Sequence, residues 1–407
     1  MSKPIQVFEH DKLTIHNGLN KSMLAKLYQF NDSNNNKYFT GVRDGVKFTE
    51  YVGVIQIGGQ TIEILPKADK NSNANKELWQ KVLLQMLSVC KKVSIETVSD
   101  AMLIRRNHSI LDLYFERYIH ELEKLLHKGL VKKYRMNVGN VKSLKGQLQF
   151  AQNLQKNLVH KERFYTKHQT YDTEHLINQI LLKALNILAG MISNPLLLGR
   201  LNKIQFSFPE IKEIHIRETH FNQILITRKT QDYKEALQIA RMIILNYSPD
   251  LSGGNENMIA LLFNMNNLWE EYIYRMLLKA NKLEYKIQAQ GKQDFWENKT
   301  IRPDIIVKKG DSTFIIDTKW KVINNDKPSD DDLKQIYTYN QYWDSSHSLL
   351  VYPNVGNINE NKWGKYHVGK NGVSYCKLYF VDVLTNEKRL NEKVGEEILE
   401  NFDFFDK

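Results

Sequence analysis

The sequence predicts an α+β protein of several domains: a β-rich N-terminal region over residues 1–100, a mainly helical middle region over residues 101–252, and a C-terminal α/β domain with a mixed central sheet over residues 253–407. The first reason is length, because 407 residues at roughly 150 per domain suffice for two or three domains. The second is a change of apolar periodicity along the chain, from alternation to helical spacing and then to a mixture. The third is the pair Gly253-Gly254, a turn signal between the last two regions.

The N-terminal region carries a hairpin signal. Two β-branched runs at 51–57 and 61–65 flank the turn Gly58-Gly59. A helix is expected from about residue 77 to residue 90. No group of carboxylates marks a reaction site here, so we interpret residues 1–100 as a partner-docking region.

Apolar residues at helical spacing dominate the middle region. They predict helices over about 113–126, 173–194 and 231–245. Gly129 is a suitable C-terminal stop for the first of them.

The C-terminal region combines both periodicities. The predicted elements are a helix at 266–280, strands at 286–290, 305–308 and 313–317, a helix at 329–342 and a strand at 348–352. This order indicates a mixed sheet with one face covered by helices.

The composition is that of a folded protein with surplus positive charge. Apolar residues make up 42% of the chain and the formal net charge is +11, which excludes a disordered chain and favours a polyanionic partner. The only cysteines, Cys90 and Cys376, lie far apart and predict neither a disulfide framework nor a thiolate metal site. No export signal or membrane span is recognisable, so a cytoplasmic protein is expected.

The strongest candidate site joins Arg302-Pro303-Asp304 to Asp317-Thr318-Lys319. A hairpin turn at 309–311 would bring Asp304 beside Asp317, and residues two apart on a strand point to one side, as Asp317 and Lys319 do. Two carboxylates suit Mg²⁺, and a lysine beside them can orient or deprotonate a water molecule. The alternative is that Asp317 only forms an ion pair at a strand end.

Two helices offer further site residues. Glu270 lies at the edge of the apolar face of the helix at 266–280, and it is either a third acidic ligand or a solvated glutamate. Gln335 and Tyr339 are one helical turn apart and either support the site or pack.

A basic stretch runs from Lys124 to Lys161 with nine lysines or arginines and no acidic residue. It suits DNA phosphates or an acidic partner, and a solvated basic face is the alternative. Its candidate binding residues are Lys128, Lys132, Lys133 and Arg135. The sequence lacks a GxxxxGK[ST] loop, so this chain is expected to bind no nucleotide, and any energy coupling must come from a partner.

Taken together, these motifs resemble the McrC family, the nuclease subunits of McrBC-type modified-cytosine-directed restriction systems, within the PD-(D/E)xK nuclease superfamily. The resemblance rests on the order of the segments 263–272, 302–304, 315–321 and 350–353, with the Gln335 and Tyr339 helix between the last two. Upstream segments that match are 53–57, 62–67, 127–130, 144–148 and 171–178.

The resemblance implies a restriction-endonuclease-like C-terminal domain and cleavage of double-stranded DNA with Mg²⁺. It implies that Asp304 and Asp317 are metal ligands, that Lys319 is the catalytic lysine and that Glu270 is an additional acidic ligand. The implied partner is an McrB-like AAA+ GTPase hexamer, which binds the GTP. Two alternatives are a stand-alone or repair-associated nuclease of the same fold, and a non-catalytic activator that plugs a motor ring.

Overall fold

The computed structural model describes residues 4–67, 75–90, 92, 109–248, 257–282, 284–323, 327–354, 361–367 and 373–403. These residues form a mixed α/β protein of two compact units. The Gly253-Gly254 pair lies outside the described residues.

Eleven α-helices form in the part of the chain that the structure describes. In chain order they are α1 Lys21–Ser33, α2 Lys76–Val89, α3 Ile110–Lys128, α4 Phe150–Asn157, α5 Leu176–Ala189, α6 Pro195–Ser207, α7 Glu218–Asn222, α8 Lys234–Leu245, α9 Met265–Ala280, α10 Asp330–Tyr342 and α11 Val394–Asp403. Single 3-10 turns occur at Ile15–Asn17 and Gln231–Tyr233.

The strands of these residues form five sheets. They are β1 Ile5–Phe8, β2 Lys12–Thr14, β3 Phe39–Val42, β4 Gly45–Phe48, β5 Tyr51–Ile57, β6 Gln60–Leu65, β7 Lys133–Val141, β8 Gln147–Leu148, β9 Phe164–Asp172, β10 Tyr247–Ser248, β11 Met258–Asn264, β12 Lys286–Ala289, β13 Gln293–Trp296, β14 Lys299–Ile301, β15 Ile305–Lys309, β16 Ser312–Thr318, β17 His347–Asn354, β18 Lys362–Lys365 and β19 Tyr375–Asp382. The sheet orders are β1-β6-β5-β11-β10, β12-β15-β16-β17-β19-β18, β13-β14, β2-β4-β3 and β7-β9-β8.

The two units divide the chain differently from the three predicted regions. One unit comprises Gln56–Gln60 and Leu111–Leu261, and the other comprises Pro4–Ile55, Thr61–Ile110 and Leu262–Lys407. Most of the N-terminal region therefore shares a compact unit with the C-terminal region. Whether 1–100, 101–252 and 253–407 act as separate functional domains stays a prediction.

A mixed six-stranded sheet dominates the unit that contains the C-terminal region. β15 pairs antiparallel with β16, whereas β16, β17 and β19 run parallel. Parallel central strands are covered on both faces, which explains why β17 is apolar along most of its length. One core cluster joins Ile315, Ile336, Leu350 and Tyr352 between this sheet and α10.

The two helices that carry predicted site residues begin at side-chain caps. The Asn264 carboxamide oxygen accepts from Asn267 N–H at 3.2 Å and starts α9, and the Ser329 hydroxyl accepts from Asp332 N–H at 3.2 Å and starts α10. These caps set the register that places Glu270 on α9 and Gln335 on α10.

The middle region is less helical than the sequence predicted. The long antiparallel pair β7 and β9 occupies its centre, and β8 adds a third strand. Tyr134, Met136 and Val138 alternate with polar residues at the period of a strand. The sequence analysis did not use this alternation to predict a strand. All three are exposed, so they do not form the buried face that usually reveals a strand.

The N-terminal region is confirmed as rich in strands, but it also contains a helix that the sequence analysis missed. α1 extends through Asn31 to Ser33, at the start of a stretch rich in asparagine. Asn31 is buried there because its side chain bonds the backbone of the following turn, donating to Phe39 C=O at 2.6 Å and accepting from Tyr38 N–H at 3.1 Å. A tertiary contact thus overrides the local preference of asparagine for loops.

Candidate functional site

The β15–β16 hairpin brings the two predicted aspartates together. Ile305 pairs with Ile316 in the antiparallel register, and one further step places Asp304 opposite Asp317. The turn at Lys309 to Ser312 that closes this hairpin lies where the sequence predicted it. Both carboxylates therefore lie at one end of two central strands.

Asp317 is fully buried and forms an ion pair with Lys319. Its Oδ2 lies 2.6 Å from the Lys319 ammonium, while Oδ1 has no hydrogen-bond partner among the described residues. Burial, with the nearby Asp304 carboxylate, raises the pKa of Asp317 to about 7. The alternative of an ion pair at a strand end is therefore present in the structure, yet it leaves one buried oxygen unsatisfied, which is costly without a further ligand.

Asp304 is held by the residue that separates Asp317 from Lys319. Its Oδ2 accepts from the Thr318 backbone N–H at 2.7 Å and from the Thr318 hydroxyl at 2.9 Å. Burial raises the pKa of Asp304 and outweighs these two hydrogen bonds, which favour the charged form. A bound cation would offset the cost of charging this pair of carboxylates.

Lys319 lies in a chain of hydrogen bonds that runs into α10. Its ammonium donates to Gln335 Oε1 at 3.0 Å, Gln335 Nε2 donates to the Tyr339 hydroxyl at 2.7 Å, and that hydroxyl donates to Arg302 C=O at 3.0 Å. Burial lowers the pKa of Lys319, but the Asp317 carboxylate outweighs burial and the net shift is upward. The lysine is therefore a cation near neutral pH, and Gln335 with Tyr339 fixes its direction.

Glu270 reaches the same group of charges from α9. Its Oε1 accepts from Gln290 Nε2 at 2.8 Å, and Gln290 Oε1 accepts from Arg302 at 3.2 Å. Burial, followed by the charge of Asp304, raises the pKa of Glu270. Glu270 is half-buried and anchored, so it is not a freely solvated glutamate. Its neighbour Glu271 pairs with Lys92 at 2.9 Å.

The donor set fits a hard divalent cation. Among the described residues, no three or more histidine, cysteine, aspartate or glutamate side chains form a group that could hold a metal ion, so the two aspartates are the candidate ligands. The buried Asp317 Oδ1, however, has no hydrogen-bond partner among the described residues, and the Asp304 carboxylate is close enough to repel the charge of Asp317. Carboxylate oxygens of this kind are the ligands that Mg²⁺ prefers.

Sequence reasoning missed Gln290, Thr318 and Asp332. Gln290 has a left-handed backbone with φ of 53°, which is a strained conformation for a residue other than glycine. No sequence motif predicted that Gln290 would lie at the site. Asp332 lies in the first turn of α10, and its Oδ2 accepts from the Lys321 ammonium at 2.6 Å. Thr318 could have been found, because it stands between two predicted site residues.

The predicted basic residues belong to the other compact unit. Lys128 pairs with Asp232 at 2.8 Å and Arg135 with Asp172 at 2.9 Å. The basic stretch contains no acidic residue of its own, but aspartates from other segments therefore neutralise part of its charge. Lys132 and Lys133 remain exposed. They line a cavity of about 670 Å³ whose other walls include Lys128, Tyr134, Tyr171, Lys229, Asp232 and Tyr233.

The fold and the site define a mixed α/β protein with a buried carboxylate and lysine centre at the end of a central sheet. Comparison with protein families then shows that the chain belongs to the family described as McrBC 5-methylcytosine restriction system component, whose model matches residues 46–353. This match confirms the resemblance found in the sequence.

Individual relatives agree with the family. The chain is 21% identical over 257 residues to the type IV methyl-directed restriction enzyme EcoKMcrBC of Escherichia coli K12, covering 57% of this chain and 73% of that protein. Its fold resembles a chain in the tetradecameric assembly of Thermococcus gammatolerans McrB AAA+ hexamers with bound McrC, with a TM-score of 0.73, 16% identity, and coverage of 98% of this chain and 100% of that one. A cryo-EM structure of the Thermococcus gammatolerans McrBC complex matches with a TM-score of 0.52 and 18% identity, over 68% of this chain and 88% of that one.

No helix among the described residues is both long enough and apolar enough to cross a membrane.

Proposed function

We propose that this chain is the DNA-cleaving subunit of a GTP-driven, modified-cytosine-directed restriction complex. In this proposal the C-terminal part is a restriction-endonuclease-like domain that hydrolyses phosphodiester bonds of double-stranded DNA in the cytoplasm. The observation that carries the proposal is the meeting of Asp304, Asp317 and Lys319 at one strand end, with a buried Asp317 oxygen left without a partner.

Asp304, Asp317 and Glu270 would hold Mg²⁺. When bound, this ion neutralises phosphate charge and lowers the pKa of a water ligand. The raised pKa of Lys319 keeps its proton on the ammonium, so the side chain is suited to orient water and to stabilise negative charge on the phosphate. Gln335 and Tyr339 are suited to keep that ammonium directed at the carboxylates.

A non-catalytic scaffold is a weaker explanation of this site. A buried carboxylate oxygen without a hydrogen bond destabilises a fold, and a scaffold would gain nothing by keeping it. The site also places the half-buried Asp304 and the Lys319 ammonium beside this carboxylate, charged groups that an apolar strand end would not need.

Energy coupling is assigned to a partner. The sequence has no GxxxxGK[ST] loop, and the Thermococcus gammatolerans assembly that contains a chain of similar fold consists of McrB AAA+ hexamers with bound McrC. We infer that this chain likewise docks onto an AAA+ GTPase hexamer, that GTP binds to the partner, and that docking stimulates the GTPase.

The best-supported contact with the partner lies in the middle region, within residues 133–172. The α4 residues Phe150 and Leu154, with Leu158 one turn further, recur at a spacing of four and all are exposed, with Phe150 at 73%. An apolar helix face left in water favours protein association. The strands β5 and β6, which we had placed at the docking surface, turn nearly all their side chains into the protein.

Cleavage of methylated double-stranded DNA tests the proposal. The chain is mixed with its AAA+ partner, GTP and Mg²⁺, and linear products are measured for the unmodified chain, Asp317→Ala and Lys319→Ala. Both variants should lose cutting by at least about 10²-fold while still stimulating the GTPase. The control is Asp311→Ala, which changes an exposed aspartate in the turn of the same hairpin and should cut normally.

Unchanged cutting by Asp317→Ala would refute the site. Efficient cutting without partner or GTP would favour the stand-alone nuclease, and normal GTPase stimulation with no cutting by any protein would favour the non-catalytic activator.

A further inference from the structure

A buried glutamate from the N-terminal strand β1 lies against the segment that carries Lys319. Glu9 follows β1 directly and is 2% exposed. Its Oε1 accepts from the Trp320 indole N–H at 2.7 Å and from the Lys67 backbone N–H at 2.8 Å. Its Oε2 has no hydrogen-bond partner among the described residues, and the His10 ring nitrogen lies 3.9 Å away.

Trp320 stands between the two lysines that pair with carboxylates near the site. Lys319 binds Asp317 and Lys321 binds Asp332, each with a nitrogen to oxygen distance of 2.6 Å. The strand β16 ends at Thr318, so residues 319–321 lie beyond its ladder. Within this segment the Lys319 backbone N–H donates to Val351 C=O at 2.9 Å, and the Trp320 indole adds a contact with the N-terminal segment to the two lysine ion pairs.

The Trp320 ring also contacts α9. Its centroid lies 5.2 Å from that of Trp269, the residue before Glu270. One buried indole therefore touches the elements that carry Lys319 and Glu270, and Glu9 binds its only polar atom. A carboxylate in this position costs desolvation, which an apolar residue would avoid.

We propose that Glu9 is a positioning residue for Lys319: its carboxylate fixes the Trp320 indole and thereby holds residues 319–321 against Asp317. The proposal rests on the proposed cleavage function for the role of Lys319, but the contact itself does not depend on it. The N-terminal strand is then part of the reaction site and not only a docking element.

The test uses four variants of the full chain in complex with its partner. Glu9→Leu removes the acceptor, Glu9→Gln keeps a carbonyl acceptor, and Trp320→Phe keeps the ring but removes the indole N–H. Asp44→Asn, at the exposed β3–β4 turn, is the matched control. Three quantities are measured: kcat for cleavage, KM for cleavage, and the rate at which a small acylating reagent labels Lys319, read by mass spectrometry.

Glu9→Leu and Trp320→Phe should lower kcat by about tenfold with KM changed less than about twofold, since a misplaced group costs rate more than binding. Lys319 labelling should rise by about threefold in both, while labelling of the exposed Lys362 stays constant. Glu9→Gln should restore both readouts toward the unmodified protein. Combining Glu9→Leu with Trp320→Phe should lower kcat little further, because each change alone already breaks the hydrogen bond between Trp320 and Glu9.

Normal kcat and normal Lys319 labelling in folded Trp320→Phe would overturn the proposal, even if Glu9→Leu fails to fold. If the unmodified complex does not cut DNA, the proposed function fails, and the labelling data alone decide whether Glu9 positions Lys319. A Glu9→Gln protein as defective as Glu9→Leu would also contradict the proposal.

Discussion

The side chain of Gln290 donates a hydrogen bond of 2.8 Å to Glu270, and the backbone of Gln290 is left-handed, with φ of 53°. The same residue donates its backbone N–H to Asp304 C=O at 2.9 Å. Gln290 thus touches two of the three acidic residues proposed to bind Mg²⁺. A non-glycine residue held in a left-handed conformation beside a reaction site is a common way to fix site geometry.

Gln290→Gly should separate the backbone role of this residue from its side-chain role. Glycine adopts positive φ freely, so the free energy of unfolding should change by no more than about 1 kcal/mol. Cleavage should fall by about tenfold, because Glu270 loses its tether. Thermal unfolding and cleavage rates check this, with Glu297→Gly as control, since Glu297 has φ of 47° in the β13–β14 turn. Equal loss of activity in both variants would contradict the role of the Gln290 side chain.

Gln335→Met should weaken cleavage without abolishing it. Lys319 would lose its contact with Gln335 Oε1 but keep its ion pair with Asp317. A loss of about tenfold in kcat is expected, smaller than for Lys319→Ala. Thr338→Ala on the same helix is the control, because Thr338 is half-buried and its hydroxyl donates to Lys334 C=O within the helix. An unchanged kcat for Gln335→Met would show that Gln335 only packs and does not support the site.

Glu9→Gln should stabilise the protein at alkaline pH. Burial raises the pKa of Glu9 to about 7 from 4.5, with Glu50 adding to the shift and the Lys67 and Trp320 hydrogen bonds opposing it. The folded state therefore binds the proton more tightly than the unfolded state. Its contribution to stability is complete below pH 4.5 and is lost as pH rises to about 7.

The gain from Glu9→Gln should accordingly be larger at pH 8 than at pH 5, by roughly 2 to 3 kcal/mol. Urea unfolding of both proteins at the two pH values measures it. His10 and Glu50 are other titratable groups that act on the Glu9 carboxylate, and His10→Gln serves as the control because its ring lies 3.9 Å from that carboxylate. A gain that is the same at both pH values would show that Glu9 does not titrate in this range.

The double change of Lys132 and Lys133 to glutamate should impair assembly with the partner more than DNA binding. Both lysines are exposed and lie in a different compact unit from Asp304 and Asp317. Complex formation and GTPase stimulation should fall, while the salt dependence of DNA affinity stays the same. Each phosphate contact that is lost would instead lower the salt slope by about 0.9. The control is Lys12→Glu on the exposed side of β2.

The change of Phe150 and Leu154 to serine should weaken binding to the partner and leave the fold intact. Both side chains are exposed, so the free energy of unfolding should change by less than about 0.5 kcal/mol. Partner affinity is measured by sedimentation or light scattering with GTP present. Lys156→Ser, on the same helix, is the matched control. Normal affinity of the double variant would exclude this face of α4 from the interface.

Local sequence determined much of the framework around the site. The β15–β16 hairpin, the cap at Ser329 and the strand β17 all follow from signals within a few residues, and they place Asp304, Asp317 and Gln335 where they were expected. The same local pairing explains why Lys319 meets Asp317. The composition and motif order also led to the McrBC family, which the comparison confirms.

Tertiary structure alone decided the contacts between distant segments. Glu9 binds Trp320 across more than 300 residues, Gln290 binds Glu270, and Lys128 finds Asp232 although its own stretch of sequence has no acid. A sequence pattern reports which faces are apolar, because burial follows helix and strand periods. It does not report which polar group on another element satisfies a buried donor or acceptor. That choice depends on how the elements pack, since a hydrogen bond forms only over about 3 Å and with restricted angles.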